Sequence, residues 1–163
     1  MKSKFLLPLA MFILFGVPVL AQTSDAEADA IVNLLGVQRR EAIRQLVPMA
    51  KKDSAAFWKV YGDYEAMNRK TAKSRLQLYE KTARSYSEMT PQVADSLATK
   101  YFTNRADQEK MLQDYYRKMK TATNSVIAFE FYQAEIYMLT QLRAQIMAQI
   151  PTYGQLMNSI PKN

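Results

Sequence analysis

Apolar positions along this chain recur with a helical period and nowhere in residues 22–163 alternate between turns as they would in a half-buried strand. The longest such stretch, residues 54–86, contains no proline and one glycine, Gly62. Within it Phe57, Tyr61 and Tyr64 stand at i, i+4 and i+7, and Leu76, Tyr79, Ala83 and Tyr86 continue the stripe. Lys59, Asp63, Lys70, Lys73, Lys81 and Arg84 fall largely on other faces. At 1.5 Å per residue, one helix over this stretch is roughly 50 Å long. That exceeds the interior of a compact globule of this size, so its partners must run beside it.

The flanking pattern predicts three more helices, and hence an all-α fold. Ile31, Leu34, Leu35, Ala42, Ile43 and Leu46 place a first helix over residues 26–47, ended by Pro48. The linker VPMAKK then leads to Asp53, which is positioned to cap the long helix. That helix runs over 54–89. Thr90 before Pro91 is a start signal, because a capping hydroxyl precedes a residue whose missing N–H costs nothing at the first helical position. A third helix over 91–122 follows, with Val93, Leu97, Tyr101, Met111 or Leu112, Tyr115 and Met119 facing inward. Its polar middle, NRADQEK (104–110), reads as solvent-exposed. TATNS (121–125) is a turn, and the strongly apolar 125–150 is a fourth helix, with Ile127, Phe131, Ala134, Met138, Leu142 and Ile146 in one stripe and Pro151 at its end. The two central helices form a long antiparallel hairpin, 54–89 against 91–122, flanked by 26–47 and 125–150. No repeat of solenoid period is present.

Residues 1–21 carry a basic head, an apolar run and small residues before Gln22, the features of a secretory signal peptide cleaved after Ala21. The run is too short for a spanning helix. With no cysteine in the chain, no lipid can be attached on one. The reading is an exported, soluble protein with one helical domain over 22–151 and a flexible tail over 152–163. Charge sharpens this. The chain carries 22 Lys+Arg against 15 Asp+Glu, a net +7, and loses only Lys2 and Lys4 with the leader. The cations concentrate in the long helix, which directs attention to acidic polypeptides or an anionic membrane surface as partners, while export removes nucleic acid.

Histidine and cysteine are both absent. Their absence removes the His-based nucleophile systems and the usual zinc ligand sets, so the sequence predicts no catalytic residue, metal or cofactor. The carboxylates Asp63 and Glu65, or Glu130 and Glu135, are not spaced to share a face. Glu135 sits among apolar neighbours and needs a buried partner, for which Arg75 is the candidate. Eight methionines follow the leader without clustering and read as core filler. Tyrosines on cation-rich helices have two readings: a seam with hydroxyls reaching water, or a wet apolar surface that holds unfolded chains. On the second reading the contact residues are Trp58, Lys59, Tyr61, Tyr64, Arg69, Lys73 and Arg84.

FWKVYGDYE (57–65), RLQLYEKTARSYSEMT (75–90), the cation-rich third helix, FYQAE (131–135) and AQIP (148–151) together resemble the Spy/CpxP-like family of small helical periplasmic proteins. The resemblance implies a periplasmic, cradle-like homodimer that acts as an ATP-independent chaperone for unfolded proteins or restrains an envelope-stress sensor. The family's Leu-Thr-x-x-Gln signature survives only in part, at Met89-Thr90, and the loop before the long helix reads Ala50-Lys51-Lys52-Asp53.

Overall fold

The computed structural model describes residues 38–148. Helix α1 occupies 38–46 of these, followed by α2 (Lys51–Ser85), a single 3-10 turn (Tyr86–Glu88), α3 (Pro91–Ala122) and α4 (Ser125–Ala148). No strand occurs among the described residues. The all-α architecture, with a long hairpin and flanking helices, is as the periodicity predicts. The leader, residues 26–37 of the first predicted helix, 149–150 of the fourth and the tail 152–163 all lie outside the described residues.

Local chemistry accounts for most helix ends. The Thr90 hydroxyl accepts from the Val93 N–H at 3.3 Å, and Pro91 takes the first helical position of α3. At the next joint the Asn124 side-chain oxygen accepts from both Val126 (2.9 Å) and Ile127 (3.0 Å), two of the amides that a helix start leaves open. The start of α2 differs from expectation. Ala50, in extended conformation, is the capping position and uses no side chain, and Asp53 lies in the first turn instead of preceding it. Lys51 and Lys52 belong to the helix, and the Asp53 N–H reaches the Ala50 carbonyl at 3.0 Å. Asp53 therefore contributes charge near the helix N-terminus, where the backbone dipole favours an anion, and not a cap.

The hairpin register follows from its rings. Tyr64 meets Tyr115 at 5.3 Å and, further out, Tyr79 meets Tyr101 at 5.7 Å, so α3 runs back along α2. The Tyr115 hydroxyl fastens the pair by donating to the Asp63 carbonyl at 3.1 Å. α4 then turns back along α3, with Tyr116 facing Tyr132 and Gln108 facing Arg143. One core holds this end of the molecule. Ile43 and Val47 from α1, Phe57, Tyr61 and Tyr64 from α2, Leu112, Tyr115 and Met119 from α3, and Ile127, Ala128, Phe131, Ala134 and Leu139 from α4 are all buried in it.

Beyond that core the hairpin continues with little to bury. Between Thr71 and Thr103 only Thr82 and Leu97 are buried, and the Thr82 hydroxyl spans the seam to the Tyr101 hydroxyl at 2.9 Å. At 1.5 Å per residue, α2 is about 16 Å longer than the described part of α4, and this end of the hairpin projects past the described residues of α4. The polar stretch 104–110 of α3 is mostly exposed as its composition predicts, with one exception: Gln108 is buried, because α4 crosses it there. Met119 is core and Met49, Met111 and Met138 pack against it, whereas Met67 and Met89 face solvent.

Candidate functional site

Seven residues of α2 were expected to share one polypeptide-binding face, and helical geometry divides them instead. Phe57, Tyr61 and Tyr64 form the stripe that α1 and α4 close over, and all three are fully buried. The Tyr61 and Tyr64 rings stand edge-on to Phe131 at 6.2 and 5.3 Å. Burying large aromatic area gains more than presenting it to water, so the stripe goes inside once two helices are available to cover it. Tyr61 and Tyr64 are therefore core residues and not contact residues. Trp58, one position round the helix, is half-buried against Phe57 and Tyr61, with the guanidiniums of Arg40 and Arg44 over its ring at 4.9 and 5.4 Å. Of the cations, Lys59, Arg69 and Arg84 remain exposed and Lys73 half-buried, on the outer side of α2, and Arg84 pairs with Glu80 at 2.7 Å.

The buried tyrosine hydroxyls explain what Glu135 is for. Glu135 is fully buried, and it accepts from Tyr64 at 2.7 Å, from Tyr61 at 3.3 Å and from Arg39 Nε at 2.9 Å, with Arg39 Nη2 completing a two-pronged ion pair. Arg39 also donates to the Tyr64 hydroxyl at 3.3 Å. Three helices are thus tied at one carboxylate. Burial works against the Arg39 charge, but Glu135, Tyr64 and Tyr61 together outweigh it and hold the guanidinium above its ordinary pKa. Burial, followed by the Glu135 charge, pushes both tyrosine hydroxyls well above theirs. The cluster is a structural clasp: its carboxylate is sealed from solvent and every member is satisfied from within the network.

Arg75 was the expected partner of Glu135, and the structure assigns that role to Arg39. Arg75 donates to Thr71 Oγ1 (2.6 Å) and Asn68 Oδ1 (2.7 Å) on its own helix. It sits about three to four turns beyond Tyr64 and Tyr61, past the level at which Glu135 enters the core, whereas α1 lies directly over that level. Arg39 was not recognisable as the partner, since only tertiary packing sets the position of α1 against α4.

A surface that the pattern did not single out lies on α4. Its inner side fills the core, yet Val126, Phe129 and Tyr137 are 67%, 54% and 52% exposed on the opposite side, with Gln133 and Thr140 exposed on the same side. The spacing of these residues keeps them on one face. Their signal was present in the sequence: α4 is apolar nearly all round, and a helix with only one buried side needs only one apolar stripe. Among the described residues no group of three or more Asp and Glu side chains is placed to hold a metal ion, and no helix is long and apolar enough to cross a membrane.

What the geometry defines is thus a class, an all-helical hairpin protein with an internal ionic clasp and an apolar outer strip. Comparison of the chain with protein-family models, with curated proteins and with solved structures gave no match.

Proposed function

We propose that this chain is an exported, non-enzymatic helical protein that binds non-native polypeptide segments carrying apolar side chains among acidic ones. The observation that carries this is the outer face of α4, where Val126, Phe129 and Tyr137 stand largely in solvent on one side of a single helix, whereas the other exposed large apolar residues, Met67, Met89 and Phe102, are scattered over α2, the hairpin joint and α3. Large apolar side chains grouped on a surface mark an interaction site. The net charge of +7, or +5 once Lys2 and Lys4 leave with the leader, supplies long-range attraction for acidic segments. Lys59, Arg69 and Lys73 on the outer side of α2 contribute to that attraction in this reading, and Trp58, Tyr61 and Tyr64 do not make contact. The absence of histidine and cysteine supports a binding rather than a catalytic role.

Residues 22–163, mixed in equal amount with a denaturant-unfolded acidic client at low salt, are expected to slow its aggregation as followed by light scattering. The triple change Val126→Ser, Phe129→Ser, Tyr137→Ser should abolish that effect while leaving helix content unchanged in circular dichroism. No slowing by the parent chain, or equal slowing by the variant, overturns the reading.

A further inference from the structure

Where α4 crosses the hairpin, past the Glu135 clasp, hydrogen-bond donors outnumber acceptors. Arg143 on α4 donates through Nη2 to Gln108 Oε1 on α3 at 3.4 Å. A guanidinium only donates, so this contact fixes the orientation of the amide and leaves Gln108 Nε2 on its other side. Gln108 is 7% exposed, and that Nε2 has no hydrogen-bond partner. A buried amide donor left without an acceptor carries a desolvation penalty of about 1–3 kcal/mol.

The charges point the same way. Arg75, half-buried on the facing side of α2, donates only to the neutral acceptors Thr71 Oγ1 and Asn68 Oδ1. Neither Arg75 nor Arg143 is ion-paired with a carboxylate among the described residues. Glu135, the one buried carboxylate among the described residues, is already saturated by Arg39, Tyr61 and Tyr64. Among the described residues, therefore, the three guanidiniums Arg39, Arg75 and Arg143 share a single buried compensating charge and leave an excess of two positive charges. Burial, and after it the Arg39 and Arg143 charges, holds the Arg75 guanidinium below the ordinary arginine value.

We propose that Arg75, Arg143 and the unpaired amide of Gln108 form a binding site for a small phosphate-class oxyanion. The donors come from three helices, two of them are forked guanidiniums suited to paired oxygen contacts, and the excess charge of two matches the charge of about −1.5 to −2 that a phosphate monoester carries near neutral pH. A single carboxylate would neutralise only half of it. Bound at this level, the anion joins α2, α3 and α4 where apolar packing gives out, and it fastens the projecting half of the hairpin to the core.

The test is calorimetric titration of the chain with inorganic phosphate at constant ionic strength and neutral pH, with sodium chloride and sodium acetate as controls, accompanied by thermal melts. Phosphate is expected to bind saturably and to raise the melting temperature, and chloride and acetate are not. Arg143→Gln and Gln108→Leu should each weaken phosphate binding about tenfold or more, the effect of losing one charge-assisted or buried hydrogen bond. Gln108→Leu keeps every charge and fills the same buried space, so it reports on the donor even if an arginine variant folds poorly. Arg117→Gln removes an equal charge from an exposed position of α3 and should leave binding unchanged. Glycerol phosphate titrated in parallel distinguishes the source: comparable binding assigns the site to phosphomonoesters, and binding of inorganic phosphate alone assigns it to the free ion. An equal response to chloride, or full phosphate binding by Gln108→Leu and Arg143→Gln, overturns the proposal.

Discussion

Glu135 is the residue on which the packing of this bundle is most sensitive to chemistry. With its carboxylate neutralised by Glu135→Gln, the Arg39 charge is left without compensation next to the core, and the expected loss is about 3–5 kcal/mol in urea unfolding. Replacing both partners, Arg39→Met with Glu135→Leu, should recover most of that loss, because a buried pair and a well-packed apolar pair of similar volume are close in free energy. A double variant as unstable as the single one would show that the clasp is valued for more than charge balance. The same network sets a limit at high pH. Tyr61 and Tyr64 have folded-state pKa values raised by burial and by Glu135, above the ordinary value of about 10 that they regain on unfolding. A group whose folded pKa is raised stabilises fully below its unfolded pKa, and that stability is lost as pH climbs beyond it. Stability is therefore expected to be flat up to about pH 9 and to fall above about pH 10, with a shallower fall in Tyr64→Phe, measured by denaturant melts across that range.

Among the helices, sequence signals succeeded where the chemistry is local and missed where a neighbouring element overrode it. Thr90-Pro91 and Asn124 cap as their side chains dictate, since the amides they satisfy lie within three residues. Asp53 has the same short acceptor but does not cap, because α2 already begins at Lys51. Asn124→Ala is accordingly expected to cost about 1–2 kcal/mol and Asp53→Ala under about 0.5 kcal/mol, compared in parallel thermal melts. Equal losses would mean that Asp53 caps in solution. In α4 the excess of apolar residues over one stripe was visible in the sequence, but which of them faces water was not. That choice belongs to α3, which takes up Tyr132 through Tyr116 and Glu109, and to the clasp, which draws Glu135 inward.

For the molecule as a whole, stability is unevenly distributed along the hairpin. Most of the buried apolar area lies where four helices meet, and the projecting end has Leu97 and a hydroxyl pair at Thr82 and Tyr101 in its seam. Local opening is cheapest where the fewest apolar contacts are lost. Amide hydrogen exchange should therefore be fastest, within the helices, over 76–88 and 92–103, and slowest over 57–64 and 112–119. Uniform protection along both helices would contradict this division. A phosphate-dependent slowing confined to the projecting end is the corresponding signature of an anion bound at Arg75, Gln108 and Arg143.

Helix type, helix number, the hairpin and its joint were readable from spacing and caps, because a period of 3.6 and a capping side chain act within a few residues of the chain. The inner faces of α3 and α4 were readable for the same reason, from Leu97, Leu112, Tyr115, Met119, Ile127 and Phe131. The partner of Glu135, the burial of Tyr61 and Tyr64 in place of display, and the exposure of Val126, Phe129 and Tyr137 were decided only by how the helices pack. Periodicity states which residues share a side of a helix, and not whether water or another helix covers that side. That depends on residues such as Arg39, which meets Glu135 from a separation of 96 positions.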